Sequence, residues 1–213
     1  KVNNPTSTTA TGVWQQEEQY EAKVTDTWPQ RALFTTKSLR FNDGSSDYLT
    51  RTPSGASNRK TFTFSAWVKR SNPSGVNMIF QQGSDTANRF GLNFQGGNLR
   101  WRGLTGGSNV AYLVTNRVFR DISAWYHIVA RFDSTNSTAG NRMRLYINGV
   151  EETSFSTDIN PSLNYESLVN TTNPIDIGRN NTSNDSFFDG YMAEVCMVDG
   201  QSLAPTSFGV ANS

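Results

Sequence analysis

The run at residues 125–150, WYHIVARFDSTNSTAGNRMRLYINGV, constrains the fold more tightly than any other part of the chain. Tyr126, Ile128, Ala130 and Phe132 recur at every second position, and so do Met143, Leu145 and Ile147 beyond a polar Ser/Thr/Asn turn. Side chains alternate between the two faces of a strand, so each set lines one face and the two strands form a hairpin with one wet side. Asn148-Gly149 follows directly. That pair suits the two positive-φ positions of a type I′ turn, which predicts a third strand starting near Glu151. The result is a meander of strands in which helices play little part.

The period of two begins at Leu33. Leu39 and Phe41 precede the turn Asn42-Asp43-Gly44, and Tyr48-Leu49-Thr50 reads as an edge-like strand before Pro53. Phe62, Phe64, Ala66 and Val68 alternate with Thr61, Thr63, Ser65, Trp67 and Lys69, the pattern of a half-buried strand. Phe90, Leu92 and Phe94 pair with Leu99 and Trp101 across Gln95-Gly96-Gly97-Asn98, a second hairpin, and residues 110–114 give another short strand. The loops 133–141 and 180–185 carry no large apolar anchor and are expected to be mobile. No helical segments separate the strands, which excludes a parallel α/β sheet and leaves an all-β, two-sheet antiparallel sandwich. Facing sheets about 10 Å apart bury alternate residues, which accounts for the recurring Phe, Tyr and Trp.

Residues 1–12 are polar and read as an extended arm. Residues 13–24, VWQQEEQYEAKV, form the one convincing helical pattern, with Val13, Tyr20 and Val24 on one side, and Trp28-Pro29 ends it. A helix of about 12 residues is marginal alone in water, so it is expected to pack on the sandwich or on another subunit. The domain reading is therefore 1–32 as arm and docking helix, and 33–213 as the sandwich.

A formal net charge of +1, with 17% charged residues and Lys and Arg scattered along the chain, offers no basic field for a nucleic-acid backbone. No apolar run approaches the roughly 20 residues that cross a bilayer, so no membrane partner is expected. The single cysteine, Cys196, allows no internal disulfide framework and no cysteine-based zinc site, and reads as a small apolar filler of the last strand. His127 is the sole histidine. With Trp125 and Val129 on its face it reads as a packed or hydrogen-bonded strand residue, not as the centre of a Ser-His-Asp arrangement. The chain starts at Lys1 without Met, as a fragment or trimmed product would.

Taken together, the hairpin with its L-Y-I-N-G end, TFTFSAWVKR at 61–70 and PIDIGRNNTSNDSFFDGYMAEVCMVDG at 174–200 resemble, in order, the strands of concanavalin A-like (laminin-G/pentraxin-like) jelly rolls. Ala193 stands where the closing strand of that family has an aspartate. The ending DGQSLAPTSFG, with the entry GVWQQEEQYEAKVTDTWP, is similar to lectin-like domains of tailed-bacteriophage virion proteins. That resemblance implies a non-enzymatic structural protein on the outer surface of a virion: a capsid decoration, head fibre or tail appendage. It would bind other virion proteins through residues 1–32 and host-surface glycans through the sandwich, as a homo-oligomer, with a trimer suggested by the habits of such appendages.

The resemblance also implies candidate sites. Relatives of this fold hold calcium with Asp/Asn oxygens at one rim, which nominates Asn42, Asp43, Asp47 and Asp189; no cofactor is required otherwise. Asp43-Gly44 and Asp189-Gly190 serve equally as turn pairs. A sugar ring stacks on an exposed aromatic, which nominates Trp67, Trp101, Tyr146 and Tyr165, although an aromatic on a polar face also serves packing. A free calcium-dependent lectin is the alternative reading. A glycoside hydrolase is a remote one, because the chain lacks the E-x-D-x-E cluster of the family's enzymes and two carboxylates must flank the scissile bond.

Overall fold

The computed structural model describes residues 37–208. The arm, the helix expected at 13–24 and the domain boundary at 32/33 lie outside the described residues. Two antiparallel sheets face each other. The six-stranded sheet runs in the order β1 (Leu39–Phe41), β13 (Gly190–Asp199), β3 (Thr61–Arg70), β8 (Tyr126–Asp133), β9 (Met143–Ile147) and β10 (Val150–Glu152). The seven-stranded sheet runs β11 (Phe155–Ile159), β7 (Ser108–Val118), β6 (Asn98–Thr105), β5 (Asn88–Gln95), β4 (Val76–Asp85), β12 (Ile175–Ile177) and β2 (Leu49–Arg51). The all-β sandwich read from the sequence is the fold observed.

The core forms where the alternating apolar faces meet. Phe62, Phe64, Ala66 and Val68 of β3 and Ile128, Ala130 and Phe132 of β8 are fully buried against Phe90, Leu92, Phe94, Leu99 and Trp101 of the opposite sheet. Phe62 stacks on Phe132 at 4.9 Å between ring centroids, and Phe90 and Trp101 meet that stack edge-on. Edge-to-face contact sets the electropositive ring rim against an electronegative face, so this cluster fixes the facing of the sheets as well as burying area. The Asn148-Gly149 turn forms with φ of 52° and 81°, and β10 starts one residue later, at Val150.

The structure departs from the sequence reading at several points. The polar side of β3 is not wet: Thr63 and Ser65 are buried, Thr63 under the segment after β13 and Ser65 against His127. Thr63 Oγ1 donates to the Gln201 carbonyl at 2.7 Å and accepts from the Leu203 amide at 2.8 Å, while Arg131 donates to the Ser202 carbonyl at 3.0 Å.

Cys196 is exposed, not an apolar filler. Ala193 pairs with Trp67 but Cys196 pairs with Ser65, so β13 carries one residue more than β3 between these pairs, and Glu194 takes φ of 48°. Such a bulge inverts the alternation. Met192 faces the core before it and Met197 packs on the core after it, which turns Cys196 outward.

The 110–114 strand is longer than expected, spanning Ser108–Val118. β4 is a full central strand with no clean period of two, because its pairing with β5 shifts at Met78/Phe80 and Gly83/Asp85 and both Ile79 and Phe80 are buried. The two polar loops are tied internally: Arg142 donates to the carbonyls of Asn136, Ser137 and Pro161, and Asn180 pairs with Asp185.

Candidate functional site

The register places two of the four calcium candidates side by side. Phe41 pairs with Gly190, so the next residues outward, Asn42 and Asp189, end adjacent strands of the six-stranded sheet. Their oxygens are already engaged. Asn42 Oδ1 accepts the Gly44 amide at 3.0 Å, Asp47 Oδ2 accepts the Asn42 amide at 3.0 Å, and Asp189 Oδ1 pairs with Arg40 Nη2 at 3.2 Å. A guanidinium thus sits where a hard cation would need negative oxygens, and among the described residues no three His, Cys, Asp or Glu side chains converge to hold a metal. The residues present do not fit the ion, and Asn42, Asp43 and Asp47 read as turn residues. A shallow depression of about 350 Å³ beside this turn is lined by Leu39, Arg40, Tyr48 and Leu49. Of its two aromatics, Phe41 is buried in the core and Tyr48 has a ring face covered by the Arg179 guanidinium, 3.5 Å from the centroid.

The four candidate aromatics do not come together. Trp101 is in the core, so it presents no ring face to a ligand; its place on β6 puts it in phase with Leu99 and against Phe62 and Phe90. Trp67 and Tyr146 lie on the outer face of the six-stranded sheet but are used there. Trp67 stacks on His127 at 4.9 Å, and Tyr146, 7% exposed, accepts from Arg131 at 3.2 Å. Tyr165 is half-buried on a loop, packed on the core, with its hydroxyl 2.9 Å from Thr105 Oγ1.

Ser65 Oγ and His127 Nε2 share a hydrogen bond of 2.9 Å, the geometry a nucleophile and base would need. Ser65, however, is 1% exposed, so no substrate carbonyl can reach it. Burial holds His127 below the usual imidazole range, against the weaker opposing pull of Glu194.

A different group gathers on the outer face of the seven-stranded sheet. Because Leu99 and Trp101 point inward, Arg100 and Arg102 point outward, and the register sets Asn93 beside Arg100, Gly91 and Tyr112 beside Arg102, and Arg89 beside Leu104. Same-face neighbours two residues apart on a strand, or diagonal across a pair, lie about 7 Å apart, so the three guanidiniums share one patch. Each is half-buried and makes a single side-chain hydrogen bond among the described residues: Arg89 to Thr182 Oγ1 at 3.3 Å, Arg102 to Asn109 Oδ1 at 2.6 Å, and Arg100 to Gln95 Oε1. Arg102 also lies over the Tyr112 ring at 5.1 Å.

None of the three forms an ion pair among the described residues, whereas Arg40, Arg59, Arg117, Arg144 and Arg179 each do. Burial and then the neighbouring Arg102 cation hold Arg89 below the usual guanidinium range, opposed by Asp185. The patch is missing from the candidates named from sequence, because Lys and Arg look scattered when counted along the chain. One signal was there: in Arg100-Trp101-Arg102 an inward Trp forces both arginines outward. Bringing in Arg89 takes the register of β5 on β6.

Solved structures similar to this chain share its fold at low identity. The binding domain of botulinum neurotoxin serotype G is 16% identical with a TM-score of 0.54, over 80% of this chain and 40% of that one. Mouse laminin α1 domains LG4-5 are 16% identical with a TM-score of 0.53, over 81% and 44%. The CBM40 module of the Ruminococcus gnavus IT-sialidase, solved with α2,3-sialyllactose, is 11% identical with a TM-score of 0.53, over 84% and 100%. The chain thus spans less than half of the first and second of these structures. No curated protein matches it by sequence. Residues 43–204, however, match the Concanavalin A-like lectin/glucanases superfamily. With that match spanning most of the chain and the two facing antiparallel sheets in place, the chain belongs to the concanavalin A-like lectin/glucanase superfamily.

Proposed function

We propose that this chain is a non-enzymatic glycan-binding module, which meets its ligand on the outer face of the seven-stranded sheet. The observation that carries this reading is the patch of Arg89, Arg100 and Arg102, three guanidiniums with most of their donors unengaged among the described residues, on the face of a lectin-type sandwich. Asn109 stands beside Arg102 with an exposed amide suited to sugar hydroxyls. A hydrolase would need two carboxylates across a cleft. The acidic side chains Glu151, Glu152, Glu166, Asp176 and Asp189 are instead each held by an arginine. The test is a glycan array probed with the full chain, with and without EDTA: chelator-independent binding is expected, and an empty array would sink the reading.

The wider setting we propose is the surface of a bacteriophage particle, supported by the likeness of the DGQSLAPTSFG ending and of the entry segment to virion lectin-like domains. Residues 1–32 would dock to other virion proteins while the sandwich projects outward, and many copies would turn a weak sugar contact into firm attachment. Deleting residues 1–32 should abolish incorporation into particles and leave the sandwich folded by circular dichroism. Normal incorporation of the shortened chain would refute that division.

A further inference from the structure

We infer that the ligand on this sheet face is an acidic glycan, one carrying a carboxylate or sulfate, anchored by Arg89, Arg100 and Arg102. This rests on the glycan-binding reading above and narrows it to a ligand class. The argument starts from how the other arginines are used. Arg70 donates to the Phe119 carbonyl and to Asn77 Oδ1, both at 2.7 Å, and lies 4.5 Å from the Phe94 centroid. Arg142 closes on three backbone carbonyls, at 2.8 to 3.1 Å. Those side chains hold the fold together. The sheet-face trio does not: a guanidinium has five N–H donors, and each of the three uses one on a side chain among the described residues. Arg100 Nε is covered and has no acceptor among the described residues.

Three like charges on one patch repel, and the sandwich keeps them there without an ion pair among the described residues. Asp185 acts on Arg89 from beyond ion-pair distance, and Asp176, on the same face of β12, is committed to Arg179. A carboxylate or sulfate placed among the trio relieves the repulsion and accepts several charge-assisted hydrogen bonds at once, with the planar forks favouring two-oxygen contacts. Neutral sugars offer neither. A nucleic-acid backbone fits less well, since three cations on one patch make no track and the chain's net charge is only +1.

The test titrates the full chain with acidic glycans beside their neutral parents: α2,3-sialyllactose and sulfated lactose against lactose, and oligogalacturonate against oligogalactose. A single-stranded oligonucleotide serves as a further arm. At least one acidic member should bind ten-fold or more tightly than its parent, with affinity falling as salt rises. Arg102→Gln and Arg89→Gln should each remove most of that preference. Arg51→Gln, which deletes one charge from the exposed edge strand β2, should leave it unchanged and so exclude a net-charge effect. Equal affinity for acid and parent would overturn the acidic class while leaving glycan binding intact. Tighter binding of the oligonucleotide than of any glycan would overturn it in favour of phosphate recognition. No binding of any sugar, acidic or neutral, would take down the broader reading as well.

Discussion

Phe132 and Arg102 stand at opposite ends of what one side chain does here. Phe132 touches Phe62, Phe90 and Trp101 in the core, so Phe132→Ala removes a ring and leaves a cavity that rigid sheets cannot close. A loss of about 3–5 kcal/mol in urea unfolding is expected. Arg102→Gln, on the sheet face, should change stability by no more than about 0.5 kcal/mol while changing ligand affinity, which separates binding from folding. His127 adds a pH dependence. Burial lowers its folded pKa below the unfolded value of 6.5, with Glu194 pulling weakly the other way. Below pH 6.5 the unfolded chain takes up a proton that the folded chain refuses, so stability falls with pH until the folded pKa is reached. The urea midpoint should therefore drop between pH 7.5 and 5, and His127→Gln should flatten that drop; an unchanged slope in the variant would assign it to other groups.

At the level of elements, β13 is where local rules and tertiary demands diverge most. Its first residue, Gly190, sits between β1 and β3 with φ of 147°, and a Cβ there would lie 2.1 Å from the Lys69 carbonyl oxygen. Backbone cannot move aside in a central strand. Gly190→Ala should leave little soluble folded protein, measured by expression and circular dichroism. Further along, the bulge at Glu194 reverses the phase and exposes Cys196. The native chain should accordingly react with a thiol reagent to one equivalent without denaturant. Deleting Val195 would restore a regular strand with Cys196 still opposite Ser65 and Glu194 turned onto the core face opposite Ala66, so thiol labelling should stay fast while the urea midpoint falls. An unchanged midpoint would mean the extra residue does not set the phase.

On the scale of the whole molecule, the two faces of the sandwich are put to different uses. The outer face of the six-stranded sheet is taken up by its own chain: residues 201–203 cross Thr63 and Arg131, and Trp67, His127 and Ser65 satisfy one another. On the seven-stranded sheet the outer face keeps its arginines half-exposed, which is why we assign the ligand there. The oligomeric state expected from the virion resemblance belongs to this scale too. Sedimentation of the full chain beside a chain lacking residues 1–32 should show a trimer for the first and a monomer for the second; a trimeric sandwich alone would place the contact elsewhere.

By itself the sequence determined the architecture, because strand alternation and turn chemistry are local. Phe62 to Val68, Tyr126 to Phe132 and Asn148-Gly149 announce inward faces and a tight turn without reference to anything distant. Register, phase shifts and coverage were decided only by the tertiary structure. β4 hid its strand because its pairing slips twice, and Cys196 changed sides at a bulge. The candidate site was half legible: Arg100 and Arg102 flank an inward Trp, but their meeting with Arg89 depends on β5 lying beside β6 with Arg89 opposite Leu104. Patches on a sheet are assembled across strands, in the direction of the hydrogen bonds, while a sequence is read along them.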